Sequence, residues 1–325
     1  MRLSIVIPVY QVEQYVADCL SSVLDSSSTD YEVIIVNDGS KDASMDIVNS
    51  MASAHSCIRV INQQNQGLSA ARMNGLEAAI GDFVWFIDSD DYLMPASVDR
   101  VLAILAEKPD LDAVAFPLLW RYDDGSGSRT DYSLPEPRVY SGKDVLKNAI
   151  IPVWAAPRFI IGRKLFRSGD LYFPNGLTHE DDYFGRVLLY SAERVYAANE
   201  PVYVYRQREG SITHLSGVRS AEHILRIHEL LIRFSQARVS EEDKGWFIRS
   251  ALGLIRCGFT RNESILSTPE FRAFRKKNLC FILKQYKRFG SSLSRKEFLS
   301  DISLYLFPVL HIRLYYLLHG RGIKK

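Results

Sequence analysis

The chain has 325 residues, 47% of them hydrophobic and 24% charged, with a formal net charge of +2. That composition excludes a disordered or strongly charged chain, and gives enough core for one large domain or a domain with an appendage. The near-neutral total hides a division, because residues 1–218 carry a formal charge of −10 and residues 219–325 one of +12.

Four scattered cysteines, Cys19, Cys57, Cys257 and Cys280, form no Cys-x-x-Cys pair and no metal-ligand spacing, so they read as reduced core thiols rather than a disulfide framework. The N-terminal apolar run is too short for a signal sequence and lacks a small-residue cleavage site, so a cytoplasmic location is expected. No stretch reaches the ~18 to 20 uncharged apolar residues of a spanning helix. The nearest, Leu304 to Leu318, is broken by Pro308, His311 and Arg313.

In chain order, Leu3 to Val9 reads as a strand. Val12, Val16, Cys19, Leu20, Val23 and Leu24 follow at helical spacing. Glu32 to Asn37 is a second strand, after which Asp38-Gly39-Ser40 turns into a helix beginning near Asp42, with Ser40 available as a cap. Ile58 to Ile61 is a third strand, Asn65-Gln66-Gly67 a turn, and Leu68 to Ile80 a helix. Strands alternating with single helices predict an α/β protein with a doubly wound, mainly parallel sheet.

Phe83 to Ile87 is an uninterrupted apolar strand that runs straight into Asp88-Ser89-Asp90-Asp91. In such sheets ligands bind at the carboxyl ends of the strands. Hard oxygen ligands there suit Mg²⁺ or Mn²⁺ carrying a substrate diphosphate, although a solvated turn followed by a helix cap would use the same residues. Asp38 ends strand two on the same edge, where it can accept from a nucleobase N–H or a ribose hydroxyl. Arg72 can point at phosphates from the following helix, and a surface ion pair is its rival fate.

Four blocks together carry a resemblance: Ile5-Val6-Ile7-Pro8-Val9-Tyr10, Val36-Asn37-Asp38-Gly39-Ser40, Asn65-Gln66-Gly67-Leu68-Ser69-Ala70-Ala71-Arg72-Met73-Asn74-Gly75, and Phe86-Ile87-Asp88-Ser89-Asp90-Asp91. In order and spacing they resemble family 2 glycosyltransferases with the GT-A fold. The resemblance implies a nucleotide-sugar donor site in which Pro8, Tyr10, Asp38, Arg72, Asp88 and Ser89 bind the donor. It also implies an Mn²⁺ or Mg²⁺ ion held by Asp90 and Asp88, with Asp91 a further candidate. Gln11 departs from the family, which usually carries Asn there.

Ala113 to Leu119 reads as another strand, and Arg121 to Pro137 as a polar hairpin or loop. Thr178-His179-Glu180-Asp181-Asp182 then opens a helix, where acids are favoured by the dipole alone. The resemblance implies instead that the acids supply the catalytic base. Inverting sugar transfer needs a carboxylate to take the acceptor proton, and Asp181 is the choice, with Glu180 and Asp182 behind it. Val202 to Ile212 resembles the family's closing Tyr- and Arg-rich segment; its Arg206, Arg208 and Ser211, with His214 just beyond, would close over the donor phosphates as a lid, and pairing of Arg206 and Arg208 with surface acids is the rival fate.

A glycosyltransferase domain over residues 1–217 and a basic helical region over 218–325 are therefore expected. In that tail Phe271, Phe274, Phe281, Tyr286 and Phe289 are interleaved with lysines and arginines. The pattern fits peripheral contact with an anionic inner membrane surface better than nucleic acid, for which no module signature appears. The acceptor is expected to be a glycan or lipid-linked molecule of bacterial-type surface polysaccharide assembly.

Two rivals use parts of the same pattern. A haloacid-dehalogenase-like phosphatase also ends a strand in Asp-x-Asp but wants Thr or Val where Asp91-Tyr92 stands. A non-catalytic sugar-binding protein would keep the fold without turnover. A dinucleotide dehydrogenase is excluded, since Pro8-Val9-Tyr10-Gln11 offers no Gly-x-Gly-x-x-Gly.

Overall fold

The computed structural model describes residues 3–122, 126–131, 134, 136–148, 154–207, 217–260 (backbone only for 257–260), 266–289, 291, 293–308 and 310–311. The chain packs as two units, one of residues 1–176 and 180–210, the other of residues 177–179 and 211–325.

The first unit alternates strands and helices as the periodicity predicts. β1 (Leu3–Val9), α1 (Val16–Leu24), β2 (Tyr31–Asn37), α2 (Ser44–Ala54), β3 (Ile58–Asn62), α3 (Leu68–Ala78) and β4 (Phe83–Phe86) come in that order. They are followed by β5 (Tyr92–Leu93), α4 (Ser97–Glu107), β6 (Ala113–Ala115), β7 (Leu118–Tyr122), β8 (Gly127–Thr130), β9 (Arg138–Tyr140) and α5 (Gly142–Asn148). β10 (Phe159–Gly162), α6 (Glu180–Ser191), β11 (Val195–Ala197) and β12 (Tyr203–Gln207) complete the unit.

Eight strands form one sheet in the order β3-β2-β1-β4-β10-β6-β11-β9. β1 pairs in parallel with β2 and β4, and β2 with β3, whereas β10 runs antiparallel between β4 and β6. The carboxyl ends of β1, β2 and β4 therefore share one edge. A strand expected over Ala113 to Leu119 is two strands. After Phe116-Pro117 the chain leaves the large sheet, and β7 joins a second sheet in the order β5-β12-β7-β8. Pro117 has no N–H to continue the ladder, which is a physical reason for the switch.

Alternation along β1 divides the core. Leu3, Ile5, Ile7 and Val9 join Val16, Cys19, Leu20 and Val23 of α1 in one fully buried cluster. Val6 faces α3, where a Cβ built on Gly75 would lie 2.2 Å from Val6 Cγ1 and 3.2 Å from Val36 Cγ2. Only glycine lets α3 approach the sheet this closely, and that approach sets the depth of Arg72, one turn earlier.

The second unit is helical: α7 (Val218–Arg238), α8 (Glu241–Thr260), α9 (Pro269–Phe289) and α10 (Arg295–Leu306). Apolar residues at helical spacing make its core, with Ile224, Ile227, Leu231, Leu252, Leu254 and Ile255 nearly fully buried. The tail aromatics divide differently from the expectation. Phe271, Phe274 and Tyr286 are core residues, while the lysines between them point outward. Helical spacing, not ligand binding, explains their interleaving.

Candidate active site

The site begins where β4 ends. Ile87 N–H donates to the Val6 carbonyl, and the chain then turns, with Asp91 N–H donating to the Asp88 carbonyl at 3.1 Å. Asp88 and Asp90 are half-buried at this turn, Ser89 is buried, and Asp91 is 1% exposed.

Asp91 does not face the edge as a metal ligand would. The Tyr203 hydroxyl donates to its Oδ2 at 2.5 Å and Arg206 N–H to its Oδ1 at 2.8 Å. The same hydroxyl accepts from Asp88 N–H at 3.3 Å. Asp91 is thus a brace that fastens the acidic turn to β12. Burial, and then the neighbouring Asp90 and Asp88, push its pKa well up.

The centre of the site is Arg72, 1% exposed on α3. Its Nη2 donates to Asp88 Oδ1 at 2.7 Å, and its Nη1 donates to Glu180 Oε1 at 2.8 Å and Asp181 Oδ1 at 3.1 Å. The guanidinium also lies 4.9 Å from the centre of the Phe173 ring, which stacks on Phe184. Sequence reading placed Arg72 on the nucleotide. The structure buries it and directs its Nη groups to three carboxylates, because an unpaired guanidinium at this depth would be prohibitive.

One cation serving three acids leaves a local excess of negative charge. Burial raises the pKa of Asp181 well above the carboxylate range, opposed by Arg72 and reinforced by Glu180 and Asp88. Glu180 is raised for the same leading reason. Asp182, the third acid of the α6 terminus, turns away and accepts from Arg186 at 2.9 Å. The structure therefore brings Asp88, Glu180 and Asp181 together and leaves Asp182 out.

Asp38 is 3% exposed and builds the neighbouring loop. Its oxygens accept from Gln63 Nε2, Gln66 N–H and Gly67 N–H at 2.8, 2.8 and 2.9 Å, and Asn74 donates to Gln63 behind them. This fixes the start of α3, and with it Arg72. Ser40 is not a helix cap: it accepts from Gln11 N–H and bonds the Val9 carbonyl, joining the loops after β1 and β2. Pro8 is buried in β1, while Tyr10 just beyond it is 45% exposed. Gln11 has φ +52°, a left-handed conformation that asparagine adopts more readily, which accounts for the family's usual residue there.

Arg206 is near the site but on another course. Its guanidinium reaches Asp18 of α1 at 3.1 Å and lies between the rings of Tyr15 and Tyr92. Arg208, Ser211 and His214 lie outside the described residues. Tyr203, Phe173 and Gln63 were missed by motif reasoning, because their roles arise from contacts across the sheet; only the Tyr-rich run around Tyr203 gave any hint.

Among the described residues, no group of three or more His, Cys, Asp or Glu side chains could hold a metal by itself. The donor set still fits Mg²⁺ or Mn²⁺, which at nucleotide sites takes one or two carboxylates and fills its remaining positions with phosphate and water. Asp88 and Asp90 offer hard oxygens at the open edge, and Asp91 is engaged elsewhere.

A parallel-rich sheet with an acidic turn at its carboxyl edge, faced by a carboxylate pair at a helix start, defines a nucleotide-sugar-transferase architecture. The profile of Glycosyl transferase family 2 matches residues 4–168. The chain is 34% identical to the uncharacterized glycosyltransferase EpsJ of Bacillus subtilis over 242 residues, 71% of this chain and 69% of that one. It is 30% identical to the putative teichuronic acid biosynthesis glycosyltransferase TuaG of the same organism over 212 residues, covering 65% and 81%. Among solved structures, S. aureus TarS 1-349 superposes with a TM-score of 0.74 at 20% identity, covering 100% of this chain and 93% of that one. Its complex with UDP-GlcNAc gives a TM-score of 0.66 at 21% identity, covering 99% and 88%. The chain belongs to glycosyltransferase family 2 and is a glycosyltransferase with the GT-A fold.

Proposed function

We propose that the chain transfers a single sugar from a UDP-sugar, with inversion, to a hydroxyl of a glycan or lipid-linked acceptor in bacterial surface polysaccharide assembly. The observation that carries this reading is the Arg72 hub, which joins Asp88 of the acidic turn to the Glu180–Asp181 pair. The name of TuaG supports the pathway class, and the UDP-GlcNAc complex of TarS supports the donor class.

In this reading the exposed Tyr10 ring stacks on the base beside Pro8, while Ser89 lines the turn that faces the donor. The acceptor oxygen bonds the anomeric carbon as the C–O bond to the diphosphate breaks, and the leaving nucleotide takes that electron pair. Asp181 receives the acceptor proton, and its raised pKa suits that task. Arg72 holds the Asp181 carboxylate in place. Asp88 and Asp90 would hold Mn²⁺ or Mg²⁺, which when bound offsets charge on the departing diphosphate. A panel of UDP-, GDP- and dTDP-sugars, assayed for nucleotide release with Mn²⁺ and with chelator, tests the reading. Metal-dependent release from a UDP-sugar is expected; absence of any nucleotide binding overturns it.

The helical unit supports a location at an anionic membrane on the cytoplasmic side. Lys276, Lys277, Lys284, Lys287 and Arg288 are exposed on α9, and Leu299 and Phe307 are 66% and 62% exposed. Exposed basic and apolar groups on these helices suit an interfacial contact. No described helix is long and apolar enough to cross a membrane. Flotation with phosphatidylglycerol vesicles, and loss of flotation in Phe307→Ser with Lys276→Glu and Lys287→Glu, is the expected result; equal flotation with neutral vesicles sinks it.

A further inference from the structure

We propose that Arg121 and Arg206, with Tyr92, form a phosphate-binding cleft beside the acidic turn, and that Arg121 is a ligand-contacting residue of this enzyme. The two arginines are direct partners in the parallel pairing of β12 with β7. Neighbours in register on adjacent strands present their side chains to the same face. Two guanidinium groups side by side repel each other unless an anion lies between them.

Asp18 answers only part of that charge. It bonds Arg206 Nη2 at 3.1 Å and is itself well exposed. Arg121 is exposed, its Nη1 donates to the Tyr92 hydroxyl at 3.1 Å, and no carboxylate among the described residues pairs with it. Arg206 is held rigid between Tyr15 and Tyr92, whose ring centres lie 5.0 and 5.1 Å from its guanidinium carbon, and its Nε is buried without a hydrogen-bond partner. Asp18, Tyr92, Arg121 and Arg206 line a cleft of about 320 Å³, room for a phosphate group with part of what it is attached to. Phenol hydroxyls and paired guanidinium groups are chemistry suited to phosphate oxygens.

The cleft is anchored to the catalytic turn. Arg206 N–H donates to Asp91, one residue beyond Asp90, so a ligand here lies beside the donor site. Rigid stacking of Arg206 lowers the entropy lost on binding, which is a reason to build the site on a strand rather than a free loop.

Two sources supply this chemistry: the diphosphate of the donor, and a phosphate carried by the acceptor. The inference rests on the glycosyltransferase reading, and calorimetry on the full chain separates them. UDP and uridine are titrated into wild type and Arg121→Gln, and glycerol phosphate is titrated into each protein already saturated with UDP and Mn²⁺. Loss of one charge-assisted contact weakens binding by about tenfold or more.

If the cleft takes the donor diphosphate, Arg121→Gln weakens UDP by that factor and leaves uridine unchanged. If it takes an acceptor phosphate, UDP is unaffected and glycerol phosphate, which binds the UDP-saturated wild type, weakens instead. Arg121→Lys restores part of either loss, and Tyr92→Phe, which frees Arg121 from its hydroxyl, gives a smaller loss in the same arm. Equal affinities of wild type and Arg121→Gln for UDP, together with no glycerol phosphate binding, overturn the proposal. Failure of wild type to bind UDP would count against the donor reading instead, and glycerol phosphate titrated into the free wild type and Arg121→Gln proteins would then decide the cleft: weaker binding to the variant supports it, and no binding to either overturns it.

Discussion

Two buried polar hubs, one in each unit, solve the problem of a carboxylate in the interior in opposite ways. Around Arg72, three carboxylates from α6 and the turn after β4 share one guanidinium. In the helical unit, Asp301 is fully buried; the Tyr286 hydroxyl donates to its Oδ2 at 2.9 Å and meets the Tyr305 hydroxyl at 2.8 Å, while Arg256 lies 3.5 Å from its Oδ1. Burial raises the carboxyl pKa in both. The first hub concentrates negative charge at the carboxyl edge of the sheet, where the proposed proton transfer would use it. The second sets one acid among phenols and a cation inside a helix bundle, and is expected to serve the fold rather than turnover.

The largest expected effect breaks the first hub at its base. Asp181→Asn should lower turnover by roughly 10²- to 10⁴-fold, while UDP affinity by calorimetry stays within about twofold. Turnover that survives unchanged would remove Asp181 from the proton transfer. Arg72→Met should then cost about 3–5 kcal/mol of stability, because it leaves acids facing one another without their cation. Urea unfolding measures that cost, and a midpoint equal to wild type would deny the hub its structural role.

The contrast sharpens in Tyr286→Phe. It should cost about 1–3 kcal/mol by the same unfolding assay, since Asp301 and Tyr305 lose a shared partner, yet leave turnover intact. A matching fall in turnover would end the division between a reactive hub and a structural one.

pH separates activity from stability. Asp181 must be ionised to accept a proton, so kcat/KM should rise with pH through a pKa above the usual carboxylate range. Stability moves the other way. Asp181, Glu180 and Asp301 hold their protons more tightly folded than unfolded. Their contribution is fully present below the unfolded value and is lost as pH rises through the raised folded values. Rate and unfolding profiles measured on one preparation should therefore slope in opposite directions across that window.

The smallest effect lies outside both hubs. Gln11→Asn, at φ +52°, should stabilise by roughly a few tenths of a kcal/mol, seen as a slight rise in Tm. A fall would show that the Gln11 side chain contributes more than its backbone strain costs.

Much of the first unit was legible because its signals are local. The Phe83–Ile87 run announces a buried strand, Gly67 a helix start, and the acids after Ile87 a ligand edge. Gly75 belongs to this class once its contact with Val6 is known, since the motif carries it for close packing. Asp181 and Glu180 were legible only through resemblance, because acids at a helix start are equally good as dipole partners.

Sequence alone therefore determined the alternation of elements, the strand-end placement of Asp38 and Asp88, and the basic character of the tail, all properties of neighbours along the chain. Tertiary structure alone decided which groups meet. It withdrew Asp91 to Tyr203, more than a hundred positions away, buried Arg72 among carboxylates from two other elements, and set Arg121 beside Arg206 through strand register. Those pairings depend on how helices and sheets close over one another, and no local spacing encodes which distant partner will satisfy a buried charge.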